Sequence, residues 1–167
     1  MTGSSRITLE RTFDAEIADL WELWTTKAGF ESWWGPEGFR TEVRKLDVEV
    51  GGETVYAMTA VGADQIEFLR KAGMPLESQD TLTLTEVVPG RRLAYTHVIG
   101  FVPGVAPYRV GLEVEFAESR DGARMVLTMD AMHDDRMTRL AVMGMQSQLD
   151  RLAARFARPR GGSGPLP

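Results

Sequence analysis

Cysteine is missing from the whole sequence. Disulfides, thiolate nucleophiles, zinc ribbons and iron–sulfur clusters are therefore excluded. Histidine is nearly missing. His97 and His133 are the two, 36 positions apart and without partners at ligand spacing, so no metal site is expected. No apolar run reaches membrane-spanning length, and the opening "MTGSSRITLERTF" lacks the apolar stretch of a signal peptide. No membrane span is expected, and the expected location is the cytoplasm. The net charge is -5 at pH 7. Arginines gather only at Arg91-Arg92 and between Arg151 and Arg160, so no nucleic-acid partner is expected. Neither a phosphate-binding loop nor a dinucleotide fingerprint occurs, and no cofactor is expected. Asparagine is absent and arginine far outnumbers lysine, which reads as the codon bias of a GC-rich bacterial genome.

What is present fits one globular domain. The chain has 167 residues, 43% hydrophobic and 26% charged, enough for one core of ordinary composition. Residues 1–157 read as that domain, and "RPRGGSGPLP", 158–167, as a flexible tail. "RITLERTF" alternates like a strand. Asp14 is the expected cap of a helix "AEIADLWELWTT", in which Ile17, Trp21 and Trp24 form one stripe. A second short helix, "KAGFESWW", is broken by "GPEG". Strand-like runs follow: "FRTEVRKLDVEV", "ETVYAMTA", "TLTLTEVV", "RRLAYTHVI", "YRVGLEVEF" and "ARMVLTMDA", several joined by glycine turns. Residues 134–157 form a long amphipathic helix, with Met137, Leu140, Ala141, Met145, Leu149, Leu152 and Phe156 at three- and four-residue steps. Strands with one apolar face need a cover, and this helix alone is long enough to supply it. The expected class is α+β: a curved antiparallel sheet wrapped around the C-terminal helix, with a space between them that side chains do not wholly fill.

Polar groups on the inner strand faces are then the candidates for chemistry. Tyr56, Tyr95, His97 and Tyr108 read either as core residues with satisfied hydrogen bonds or as orienting points in an apolar cavity. Val110, Leu112, Met58, Met129, Met145 and Leu149 would line such a cavity; methionine adapts to varied ligand shapes. "ADQIEFLRKAG", residues 63–73, carries a helical period and a glycine stop. It joins two strands, so it is expected as a short helix lidding the opening with Phe68 or Leu69. Trp33, Trp34 and Phe39 flank "GPEG", where the chain must turn back. The rings pin the short helices to the sheet, and one of them, Trp33, is a candidate cavity wall beside Phe39.

Taken together, "RTFDA" at 11–15, "WELWT" at 21–25 and "WWGPEGF" at 33–39 resemble the opening of proteins related to the activator of the heat-shock protein 90 ATPase, in the START-like or SRPBCC superfamily. "GG" at 51–52, "EVVPGRRLAYT" at 86–96 and "GMQSQLDRLA" at 144–153 extend the resemblance over about residues 6–156. It implies a helix-grip fold, a sheet gripping the C-terminal helix around an apolar cavity. Two departures stand out. The stretch from Met58 to Thr81 is longer than the hairpin loop expected of relatives. Gly144-Met145-Gln146 stands where the family helix often carries Gly-Trp-Ser. The superfamily's functions are varied, and fold alone does not choose among them. The leading expectation is binding of a small apolar or aromatic molecule in the internal cavity. The alternatives are a cyclase- or hydrolase-type enzyme using cavity tyrosine or histidine, and a chaperone-interacting module. A homodimer stays open.

Overall fold

Alternating polarity turns one row of each strand indoors. The computed structural model describes residues 5–100 and 102–157. In β1 (Arg6–Phe13), Ile7, Leu9 and Phe13 face inward while Thr8, Glu10 and Thr12 are exposed. The later strands are β2 (Phe39–Leu46), β3 (Glu53–Ala60), β4 (Glu77–Val88), β5 (Arg92–Ile99), β6 (Tyr108–Ser119) and β7 (Gly122–Asp130). They form one antiparallel sheet in the order β1-β7-β6-β5-β4-β3-β2. The first two strands are thus its two edges. α1 (Ile17–Thr25) and α2 (Lys27–Glu31) carry the chain from one edge to the other. Register shifts between Val43 and Lys45, and between Leu84 and Glu86, bend the strands. The curved, open sheet grips α4 (Asp135–Ala154), whose Leu149 and Leu152 are fully buried against it. This is the helix-grip α+β fold.

Local chemistry sets the element ends. α1 begins at Ile17 and the residue before it, Glu16, makes no side-chain cap; the cap expected from Asp14 falls two residues too early. Thr26 caps α2 by accepting from the Gly29 N–H at 3.0 Å. Glu31 accepts from the Val43 N–H at 2.7 Å and from Lys27 Nζ at 2.9 Å, tying α2 to β2. β2 ends at Leu46, earlier than the sequence run to Val50. Asp134 caps α4, accepting from the Met137 N–H at 2.7 Å. Leu140, expected inward, is 50% exposed, because the buried stripe of α4 runs through Met145, Leu149 and Leu152, and position 140 lies on its flank. α3 (Ala63–Lys71) forms within the long β3–β4 connection and stops before Gly73 at φ 70°. No helix among the described residues is long and apolar enough to cross a membrane. The tail expected over 158–167 lies outside the described residues.

Candidate functional site

The turn after the paired tryptophans fixes the gap between sheet and helix. Gly35 and Gly38 adopt φ of 98° and 90°, where a side chain is strained. A Cβ at Gly38 would also lie 2.2 Å from the Gln65 side chain of α3. The turn is bonded to α4 at three points. Arg151 donates to the carbonyls of Gly35 (2.7 Å), Pro36 (3.3 Å) and Phe39 (3.2 Å). Gln148 Oε1 accepts from the Gly35 N–H at 3.1 Å, and Ser147 Oγ from the Glu37 N–H at 3.0 Å.

The two tryptophans divide their work. Trp33 is wholly buried, donates from Nε1 to the Leu23 carbonyl at 2.8 Å, and meets Trp24 edge-on at 4.8 Å. Trp34 stacks on Phe30 at 4.8 Å and meets Tyr56 at 5.9 Å. Its other side borders a cavity of about 200 Å³ between the sheet and α4. Tyr56, Leu82 and Leu112 make the deep wall, each less than a tenth exposed. Met58, Val110 and Met129 continue it, while Ala141, Gly144, Met145 and Gln148 of α4 face them. Asp80, His97 and Met132 complete the lining, each partly exposed.

Polar groups are few and grouped. His97 Nε2 is 3.3 Å from Asp80 Oδ1. Burial pushes the Tyr56 hydroxyl pKa above its ordinary range; the Asp80 charge adds to this and the neighbouring Trp34 indole opposes it. Gln148, almost wholly buried, turns its Nε2 to the Met145 thioether at 3.4 Å, a weak acceptor. The cavity is partly open, and it can therefore hold an apolar body and read one polar group at its rim. Among the described residues no cluster of histidine and carboxylate side chains could hold a metal.

The family model for Activator of Hsp90 ATPase homolog 1-like protein matches residues 14–157. The chain belongs to this family. Through it the chain falls in the SRPBCC superfamily, whose fold commonly binds hydrophobic ligands. An X-ray structure of a Chromobacterium violaceum protein is similar at TM-score 0.75 and 23% identity, covering 92% of this chain and 98% of that one. A Mycobacterium smegmatis protein gives TM-score 0.70 at 17% identity over 95% and 98%. The AHSA1 protein of Silicibacter pomeroyi gives 0.67 at 23% identity over 90% and 96%. At these identities the likeness is one of fold. No curated protein matches the chain.

In this activator-family chain the sheet and α4 bring Tyr56, Met58, His97, Val110, Leu112, Met129 and Met145 together around the cavity. The other residues singled out in the sequence lie elsewhere. Trp33 and Leu149 are in the closed core, each 0% exposed. Tyr95 stacks on Trp24 at 6.2 Å, and burial raises its hydroxyl pKa. Phe39 is half-buried at the start of β2. Tyr108 opens β6, its hydroxyl 2.8 Å from His133 Nδ1. Leu69 packs beneath α3 while Phe68 is 68% exposed, and neither borders the cavity. Sequence reasoning passed over Asp80, Gly144 and Gln148, and it favoured Trp33 over Trp34. Two of these left a signal: Asp80 is an acid in phase with Leu82 and Leu84 on an inner face, and Gly144 is a glycine inside a helix.

Proposed function

We propose that this chain binds one small apolar or aromatic molecule in the cavity between sheet and α4. The observation that carries the reading is the cavity itself, apolar over most of its lining and bordered by polar groups at one end. An apolar cavity of roughly 150 Å³ accepts a benzene ring. The volume of about 200 Å³ here therefore suits one ring with a short substituent, not a lipid. The methionines on its wall let the fit adjust. Met145 stands where the family resemblance leads one to expect tryptophan, and the smaller side chain leaves the space open.

Titration of the intact chain with indole tests this by calorimetry and thermal shift, since a ligand that binds only the native state raises the unfolding midpoint. Saturable one-site binding is expected. Leu112→Trp, with its fold verified by circular dichroism, is expected to fill the space and abolish it. Indole bound equally by the folded Leu112→Trp protein, or not bound by the parent, overturns the reading.

A further inference from the structure

The charge around the cavity is one-sided. Among the described residues two carboxylates border it, Asp80 and Asp130, and no lysine or arginine does. Asp130 is already engaged: Oδ2 accepts from the Gly111 N–H at 2.7 Å and Oδ1 faces Arg6 Nε at 3.2 Å. Asp80 has one hydrogen-bond partner among the described residues, His97 Nε2, at a long 3.3 Å. Its carboxylate therefore keeps acceptor capacity that no donor among the described residues uses. The side chains of Asp80 and His97 are 27% and 20% exposed, so this capacity sits at the rim, not in the apolar floor. Deeper in, the rings of Trp34 and Tyr56 border the same space. An aromatic face attracts a cation and repels an anion.

Building on the binding reading above, we infer that the occupant is a small amine. Its ammonium head lies at the rim against Asp80, and its aryl or alkyl group fills the space beside Trp34, Leu82 and Met145. A carboxylic acid of the same shape would set a second negative charge beside Asp80, with no lysine or arginine among the described lining residues to offset it. A neutral alcohol would keep the apolar contacts and one hydrogen bond but lose the charge assistance.

Three isosteric probes separate these cases: 2-phenylethylamine, 2-phenylethanol and phenylacetate, titrated calorimetrically into the intact chain at neutral pH. The amine is expected to bind about tenfold or more tighter than the alcohol, the worth of one charge-assisted hydrogen bond, and the acid weakest of all. Asp80→Asn is expected to erase the amine's advantage and leave the alcohol's affinity in place. Should that variant not fold, salt dependence of the parent protein gives the same answer: amine affinity falls with ionic strength and alcohol affinity does not. If alcohol and amine bind equally, if the acid binds best, or if Asp80→Asn keeps the amine preference, this inference falls and the binding reading stands. If none of the three binds, both fall.

Discussion

Around Trp24 the inner face of the sheet is closed by rings, whereas beside Met145 the same face is left hollow. The same strands supply both regions. β5 gives Tyr95 to the closed corner and His97 to the hollow one; β6 gives Phe116 to the first and Leu112 to the second. In the corner, Trp24 meets Trp33, Trp34, Tyr95 and Phe116 at centroid distances of 4.8 to 6.5 Å. So dense is this packing that Trp24 Nε1 is the one buried side-chain nitrogen or oxygen among the described residues without a hydrogen-bond partner. Rings surround it, and contact with a π face is only a second-order substitute. At the other end, methionine, alanine and glycine from α4 meet the sheet across open space. Rigid rings hold the frame, so the hollow end need not contribute as much to stability.

Removing a ring should expose that division most sharply. Trp24→Ala is expected to cost about 3–5 kcal/mol, because a large cavity opens where little can collapse. Met145→Ala should cost less than about 2 kcal/mol, since the side chain already borders a void and is half-buried. Urea titrations of both variants check this; similar losses would mean that the two ends share the load.

Next in size is the clasp that joins the two regions. Arg151→Ala removes a charged donor shared by three carbonyls of the turn. A loss of about 1.5–3 kcal/mol is expected. Because Trp34 precedes this turn and walls the cavity, hydrogen exchange should also quicken at residues 34–39. Unchanged exchange there would separate the clasp from the cavity wall.

Alkali should distinguish the two tyrosines. Burial raises the hydroxyl pKa of both Tyr95 and Tyr56, and Asp80 adds to the shift at Tyr56 alone. A raised folded pKa contributes stability that is fully present below about pH 10, the ordinary tyrosine value, and is lost as pH rises toward the folded value. Unfolding midpoints measured between about pH 9 and about pH 11 should fall, and fall less in a Tyr56→Phe, Tyr95→Phe double variant. Asp80→Asn should bring forward the phenolate absorbance of Tyr56 and leave that of Tyr95 in place.

The closed region was the more legible of the two in the sequence. Period-two alternation gave the strands, and the spacing of Ile17, Trp21 and Trp24 gave the buried stripe of the first helix, because burial of large apolar groups leaves a periodic trace. The β1–β7 pairing left no such trace. It joins Arg6 to Asp130 and Phe13 to Ala123 across the length of the chain, and pairing partners that far apart are set by tertiary closure. The hollow region was half legible. Inward phase identified Tyr56, His97, Leu112 and Met129, but phase cannot tell which inward residues meet a neighbour and which meet a void. Leu149 and Tyr95 share the inward phase yet are packed solid. For Phe68 the helix of residues 63–71 was readable, but which way its apolar side turned was not.

The smallest expected effect is the one that bears most directly on why the hollow exists. Gly144 lies inside α4, where glycine costs about 0.5–1 kcal/mol relative to alanine. Close packing does not require it, because a Cβ built there meets no atom within 4 Å beyond the backbone of its own helix and its chain neighbours. Gly144 borders the cavity, so the glycine withholds a methyl group from open space at a standing cost to the helix. Gly144→Ala is therefore expected to stabilise the protein by about 0.5–1 kcal/mol in urea titration. The same variant should weaken binding of the isosteric aromatic probes, because the added methyl takes up room that the occupant needs. Gain and loss together would mark a position where occupancy outweighs helix propensity. A variant that gains stability and binds the probes unchanged would mean that Gly144 faces away from the occupant, and the hollow would then need another reason to persist.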